Sequence, residues 1–112
     1  MSTPRLQTSL WVQAHVRRAD LAGIPMVVLR KGDAEGGSVL VKLNHRDAGC
    51  TVLSQSRTPE GELVFLRGTG AEPVPEEAAD AYIARQLRYD SDLWVLEIDD
   101  RDGRHPFDER IL

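Results

Sequence analysis

The sequence predicts an α+β fold, a mainly antiparallel sheet of about five strands with two helices packed on it. Three observations carry that expectation. Residues 9–22 and 72–89 are spaced as helices, the chain between them breaks into short β-branched runs, and the spacers between those runs are brief and rich in Gly, Pro and Asp. The expected chain order is α-β-β-β-β-α-β plus a short C-terminal hairpin strand, within a single domain spanning residues 1–112.

The first helix, Ser9 to Ala22 (SLWVQAHVRRADLA), has Thr8 or Ser9 as its N-cap and stops before Gly23 and Pro25. At about 100° per residue, Leu10, Trp11, Ala14, Leu21 and Ala22 share one arc with Arg18 inside it, while Gln13, Arg17 and Asp20 lie opposite. After Pro25 come the strand-like runs MVVLRK (26–31), SVLVKLN (38–44), CTVLSQS (50–56) and ELVFLRG (62–68). Their spacers, Gly32–Gly37, His45–Gly49 and Arg57–Gly61, are too short for a parallel crossover, which needs roughly a dozen residues, so 26–68 reads as a four-stranded meander.

A second helix opens at Glu72-Pro73-Val74-Pro75-Glu76-Glu77, with proline in its first turn and acids where the helix dipole favours them, and runs to about Tyr89. Val74, Ala78, Ala81, Tyr82 and Tyr89 fall in one arc that also holds Arg85. Leu93 to Asp99 is the fifth strand. Asp102-Gly103 reads as a hairpin turn into Arg104–Phe107, where Pro106 suits only an edge.

Hydrophobic residues make up 41% of the chain, enough to close a core. A net charge of -4 argues against a surface built to hold nucleic-acid phosphates. The one cysteine, Cys50, has no internal disulfide partner, and MSTPRLQTS lacks the layout of a signal peptide. No apolar run approaches the roughly 18 residues of a membrane span. A cytoplasmic protein with no membrane association is expected.

The most acidic stretch is DLWVLEIDDRDGRH, residues 92–105. Strand alternation puts Trp94, Leu96 and Ile98 on one face and Leu93, Val95, Glu97 and Asp99 on the other, with the last two roughly 7 Å apart. Such a pair can share a divalent cation or bracket an arginine. The structural reading weighs more: the carboxylates pair with Arg18 or Arg85 from a covering helix, or mark where the strand leaves the core. A calcium loop fails at its first position, occupied by Ile98, although Asp100, Asp102, Gly103 and Glu109 fit later ones.

The three histidines, His15, His45 and His105, form no short-spaced ligand pair, which leaves zinc without support. Cys50 with His15 or His45 as base has no local signature, so a buried thiol is the stronger reading. Gly32–Gly37 matches no phosphate-loop pattern. The element order is similar to that of restriction-endonuclease-like nucleases, and Asp33 and Lys42 fit the metal-binding Asp and the Lys of their Glu-x-Lys. Leu40 stands where that motif needs an acid, so an active nuclease of this type is not expected. Trp11 and Trp94 lie on apolar faces, where packing outweighs base stacking.

RLQTSLWVQAHVRRADLAGIPMVVLRKGDAEGGSVLVKLN near the start and EPVPEEAADAYIARQLRYDSDLWVLEIDDRDGRHPFDE near the end carry a resemblance over nearly the whole chain. They are similar to a family of small bacterial proteins of unknown function, found chiefly in alphaproteobacteria. The resemblance implies a complete single-domain protein, free-standing in a bacterial cytoplasm, and no activity, substrate or cofactor.

The expected function is therefore a non-enzymatic protein-interaction or regulatory module, working with a protein partner or as a homodimer. Apolar residues on both faces of Met26–Leu29 and Leu93–Ile98 support self-association. Candidate binding residues are Arg18, Lys42, Arg85, Glu97 and Asp99, with no catalytic residue, metal or cofactor assigned. The alternatives are a nucleic-acid-associated protein using Arg17, Arg18, Lys42, Arg85 and Arg88, and a metal-dependent or acid–base enzyme built on Glu97 and Asp99.

Overall fold

A computed structural model describes residues 7–112. Its elements are helix α1 (Thr8–Leu21), strands β1 (Met26–Arg30), β2 (Val39–Asn44), β3 (Cys50–Arg57) and β4 (Leu63–Arg67), helix α2 (Glu76–Tyr89), and strands β5 (Trp94–Asp99) and β6 (Arg110–Ile111). The class is α+β, as expected. No helix among the described residues is long and apolar enough to cross a membrane.

The sheet has six strands in the order β1-β5-β2-β3-β4-β6 and is mixed, which corrects the expectation of a mainly antiparallel sheet of about five. The β2–β3–β4 part is the meander that the short turns require. β1 does not join it: β5 inserts between β1 and β2, antiparallel to the first and parallel to the second. Two properties explain the insertion. β5 is apolar on both faces, which suits a central strand covered on both sides. The 32–37 loop does not close a hairpin but binds β5: Asp33 N donates to the Asp92 carbonyl at 3.0 Å, and Trp94 Nε1 donates to the Asp33 carbonyl at 2.8 Å.

The C-terminal hairpin is also corrected. Asp102-Gly103 does turn, with Gly103 at φ +74 and its N–H on the Asp100 carbonyl at 3.0 Å. Residues 104–107 form no strand, because both edges of β5 are already taken by β1 and β2. The chain instead buries Phe107 against Trp11 (5.6 Å between ring centroids) and Phe65 (5.0 Å), then adds β6 in parallel to β4.

The two helices cover opposite faces of the sheet. On the α1 side Trp11, Val12, Ala19, Val41, Phe65, Leu96 and Phe107 pack together; on the α2 side Leu40, Val52, Ala79, Ile83 and Val95 do. Each helix is rotated from its predicted arc. α1 buries Trp11, Val12, His15 and Ala19, while Leu10 and Leu21 stay exposed. The ring of His15, stacked on Trp11 at 4.0 Å, takes an inward position that hydropathy assigned elsewhere. α2 turns Ala79 and Ile83 down and leaves Tyr89 exposed. That rotation aims Glu76 and Asp80, one turn apart, at the sheet.

Candidate functional site

Lys42 interrupts the apolar β2 run, and alternation puts it on the α2 face. Its sheet neighbours are Glu97 of β5 and Val52 of β3. Only 4% of the residue is exposed, so its ammonium needs partners close by. It has them: Nζ donates to Glu76 Oε2 and Asp80 Oδ1, both at 2.7 Å, and Glu97 Oε2 stands 3.9 Å away. Asn44 extends the network, donating from Nδ2 to Glu97 Oε2 at 3.1 Å and accepting the Arg46 N–H on Oδ1 at 2.8 Å. Arg46 reaches back to Asp99 Oδ1 at 2.9 Å.

Burial works against the charge on Lys42. The hydrogen bonds that Asp80 and Glu76 accept from it and the nearby charges of Glu97 and Asp80 outweigh this, holding the ammonium above the ordinary lysine range. An amine kept protonated in this way is neither a nucleophile nor a base at neutral pH. The cluster fastens the first turns of α2 to the sheet. A backbone bridge helps, with Cys50 N–H on the Val74 carbonyl at 2.7 Å and Val74 N–H on the Cys50 carbonyl at 2.8 Å. Burial also pushes the Cys50 thiol up, and the carboxylates of Glu76, Glu97 and Asp80 add to this against the opposing charge of Lys42.

The structure brings together Lys42 and Glu97, with Asp99 beside them through Asn44 and Arg46. It does not bring Arg18 or Arg85 to them. Arg18 sits on α1, across the sheet, and pairs with Asp108 at 3.0 Å. Arg85 is exposed, its guanidinium 5.9 Å from the centre of the Tyr82 ring. Arg17 and Arg18 on one helix and Arg85 and Arg88 on the other thus occupy opposite sides of the molecule. Among the described residues no group of three or more His, Cys, Asp or Glu side chains is placed to hold a metal ion. The sequence reading missed Glu76, Asp80 and Asn44; a lone lysine in an apolar strand, with acids four apart opening the next helix, was the available signal.

The second feature is a groove of about 790 Å³ between α1 and β1. Val12, Val16, Ile24, Met26, Val28 and Trp94 give it an apolar lining, and Arg17, Asp20 and Lys31 are its charged members. It adjoins the outer edge of β1, where Val27, Val28 and Leu29 are 53%, 36% and 52% exposed. α2 packs over β2 and β3, which leaves β1 bare on that face. The register with β5 shifts between Val28 and Arg30, and Arg30 Nη1 donates inward to the Leu93 carbonyl at 2.8 Å. The strand therefore shows valines and a leucine to solvent while its own arginine points away.

Residues 6–108 match a family described as "Protein of unknown function (DUF1491)". The crystal structure of a DUF1491 family protein from Caulobacter crescentus CB15 is similar to the chain at 40% identity and a TM-score of 0.85, covering 96% of this chain and 100% of that one. An NMR structure of a DUF1491 family protein from the same organism, also 40% identical, has a TM-score of 0.84 over 98% of this chain and 99% of its own. A protein from A. tumefaciens shares the fold at 24% identity, with a TM-score of 0.71 and coverage of 95% and 97%. No curated protein matches the chain.

Proposed function

The chain belongs to the DUF1491 family of unknown function, and from that premise and the geometry above we propose that it is a non-enzymatic protein-interaction module working through the outer edge of β1 and the groove beside it. The observation that carries this reading is the apolar, uncharged edge itself. Sheet edges in soluble proteins are ordinarily shielded by charges, proline, bulges or a covering element, because unpaired N–H and C=O groups are templates for another strand. Here the exposed positions are Val27, Val28 and Leu29, and the one irregularity, the register shift with β5, falls at the far end of that stretch, between Val28 and Arg30. A strand added at such an edge gains main-chain hydrogen bonds, and adjacent pockets supply side-chain selectivity. The groove supplies those pockets.

We place this activity in a single folded unit spanning residues 1–112, acting in the cytoplasm. A lone buried thiol with no disulfide suits a reducing compartment. In this reading Lys42, Glu97 and Asp99 hold α2 on the sheet, while Arg18 and Arg85 are surface charges. The test is site-specific photo-crosslinking in cells, with the reactive group at Leu29 or, as a control, at exposed Glu60. A discrete product from position 29, identified by mass spectrometry and reproduced with purified components, is expected. Equal and diffuse labelling from both positions would overturn the reading.

A further inference from the structure

We infer that the strand completing the β1 edge is β1 of a second copy of this chain, the two running antiparallel about a two-fold axis so that two six-stranded sheets become one. This rests on the interaction reading above and names its partner.

Hydrogen-bond parity supplies the first argument. Asp99 N donates to the Pro25 carbonyl at 3.1 Å, which makes Pro25 and Asp99 a bonded pair of the antiparallel ladder. Bonded and non-bonded pairs alternate, so Val27 bonds inward to Glu97, and Met26 and Val28 aim their N–H and C=O groups outward. Two outward residues flanking Val27 give a short, self-complementary edge. No proline interrupts it, and no side chain of Met26–Leu29 is charged.

Charge is the second argument, and it selects a copy of this chain over an arbitrary strand. α1 leads directly into β1 through Ala22–Pro25, so its C-terminal end lies at the start of the strand. At its N-terminal end, Ser9 N donates to the Ala34 carbonyl, beyond the end of β1. The helix therefore runs antiparallel to the strand beneath it. Asp20 sits at the negative end of the α1 dipole, where an acid is unfavourable, and Lys31 follows the far end of β1. Both are exposed, both line the groove, and neither makes an ion pair among the described residues. Antiparallel pairing of β1 with itself carries Lys31 of each copy toward Asp20 and the helix C-terminus of the other. A parallel arrangement would put like charges together.

Area adds a constraint. A stable interface buries about 800 Å² per partner, whereas a five-residue strand spans only about 17 Å. The interface must therefore extend over the groove as well, which places Asp20 and Lys31 inside its rim.

The experiment is sedimentation equilibrium of the full chain as wild type, Val27→Lys, Asp20→Lys, Lys31→Asp and the double swap Asp20→Lys/Lys31→Asp. Circular dichroism of each confirms that it has folded. The wild type is expected to be dimeric and Val27→Lys monomeric. Each single charge reversal is expected to weaken association about five- to tenfold, and the double swap to restore it. Restoration tests the inference even if Val27→Lys fails to fold, because both swapped positions are exposed. A dimer indifferent to all of these changes overturns the inference and the edge reading together. A monomeric wild type that still crosslinks at Leu29 to a different polypeptide overturns the second copy alone; a monomer with no crosslink removes both.

Discussion

Removing the two carboxylates that hold Lys42 should cost more than the two single losses added together. Asp80 and Glu76 are each more than half exposed, and an exposed ion pair is worth only about 0–1 kcal/mol. The lysine differs: its side chain is 5% exposed, so it cannot recover hydration when its partners go. Glu76→Gln or Asp80→Asn alone leaves one carboxylate at 2.7 Å and should cost about 1 kcal/mol each. The double variant leaves a buried ammonium whose nearest carboxylate is Glu97 at 3.9 Å. Stranding a buried charge in this way costs about 3–5 kcal/mol, or roughly 12–20 °C in melting temperature for a domain of this size. Lys42→Met should fall between, at about 2 kcal/mol, because it loses two charge-assisted bonds but relieves the burial of the charge. Urea unfolding followed by the fluorescence of Trp11 and Trp94, both buried, measures all four variants. A double variant no less stable than the sum of the singles would refute the claim that one desolvated ammonium couples them.

A methyl group on Gly32 would run into the Asp92 carbonyl, so Gly32→Ala should lose at least about 1–3 kcal/mol in the same assay, far more than Gln13→Ala on the exposed side of α1. Burial pulls the His105 imidazole below its ordinary value against the opposing charge of Glu109, and Nδ1 accepts the Phe107 N–H at 3.2 Å. The folded state therefore binds that proton less readily than the unfolded chain. The stability gained is complete above about pH 6.5 and is lost as the pH falls through the folded value, so His105→Asn should flatten the pH-stability curve on the acid side of 6.5. The Cys50 thiol, buried and raised, should ignore a disulfide reagent in the native state and react at the rate of unfolding; fast labelling would show that α2 opens independently.

Much of the secondary structure was legible in the sequence, because β-branched runs and their turns are local features. MVVLR, VLVKLN and LVFLR begin and end within a residue or two of their predicted limits. Neighbour order is not local. The Gly32–Gly37 spacer is as short as a hairpin loop, yet Gly32 and Gly37 serve close approach to the Asp92 backbone, which lies 55 or more positions away. That contact became visible only with β5 in place. The helix faces misled for a different reason. α1 turns in a histidine and α2 aims two acids at the sheet, and neither polar choice shows in the hydropathy of the helix arcs. The same gap separated Lys42 from its partners. Glu97 and Asp99 were found by strand alternation, whereas Glu76 and Asp80 required the rotation of α2 about its axis. The apolar character of β1 was read correctly, but only the insertion of β5 shows that this strand, and not a central one, is left bare.

Residue-resolved amide exchange along β1 tests the interaction claim most directly. Val27 points its N–H inward to β5 and should exchange slowly at every concentration, while Met26 and Val28 point outward and report whether another strand is present. The account predicts that Met26 and Val28 exchange quickly in dilute protein and become protected as concentration rises and copies pair. Fast exchange at both, unchanged at millimolar concentration and in cell extract, would contradict it.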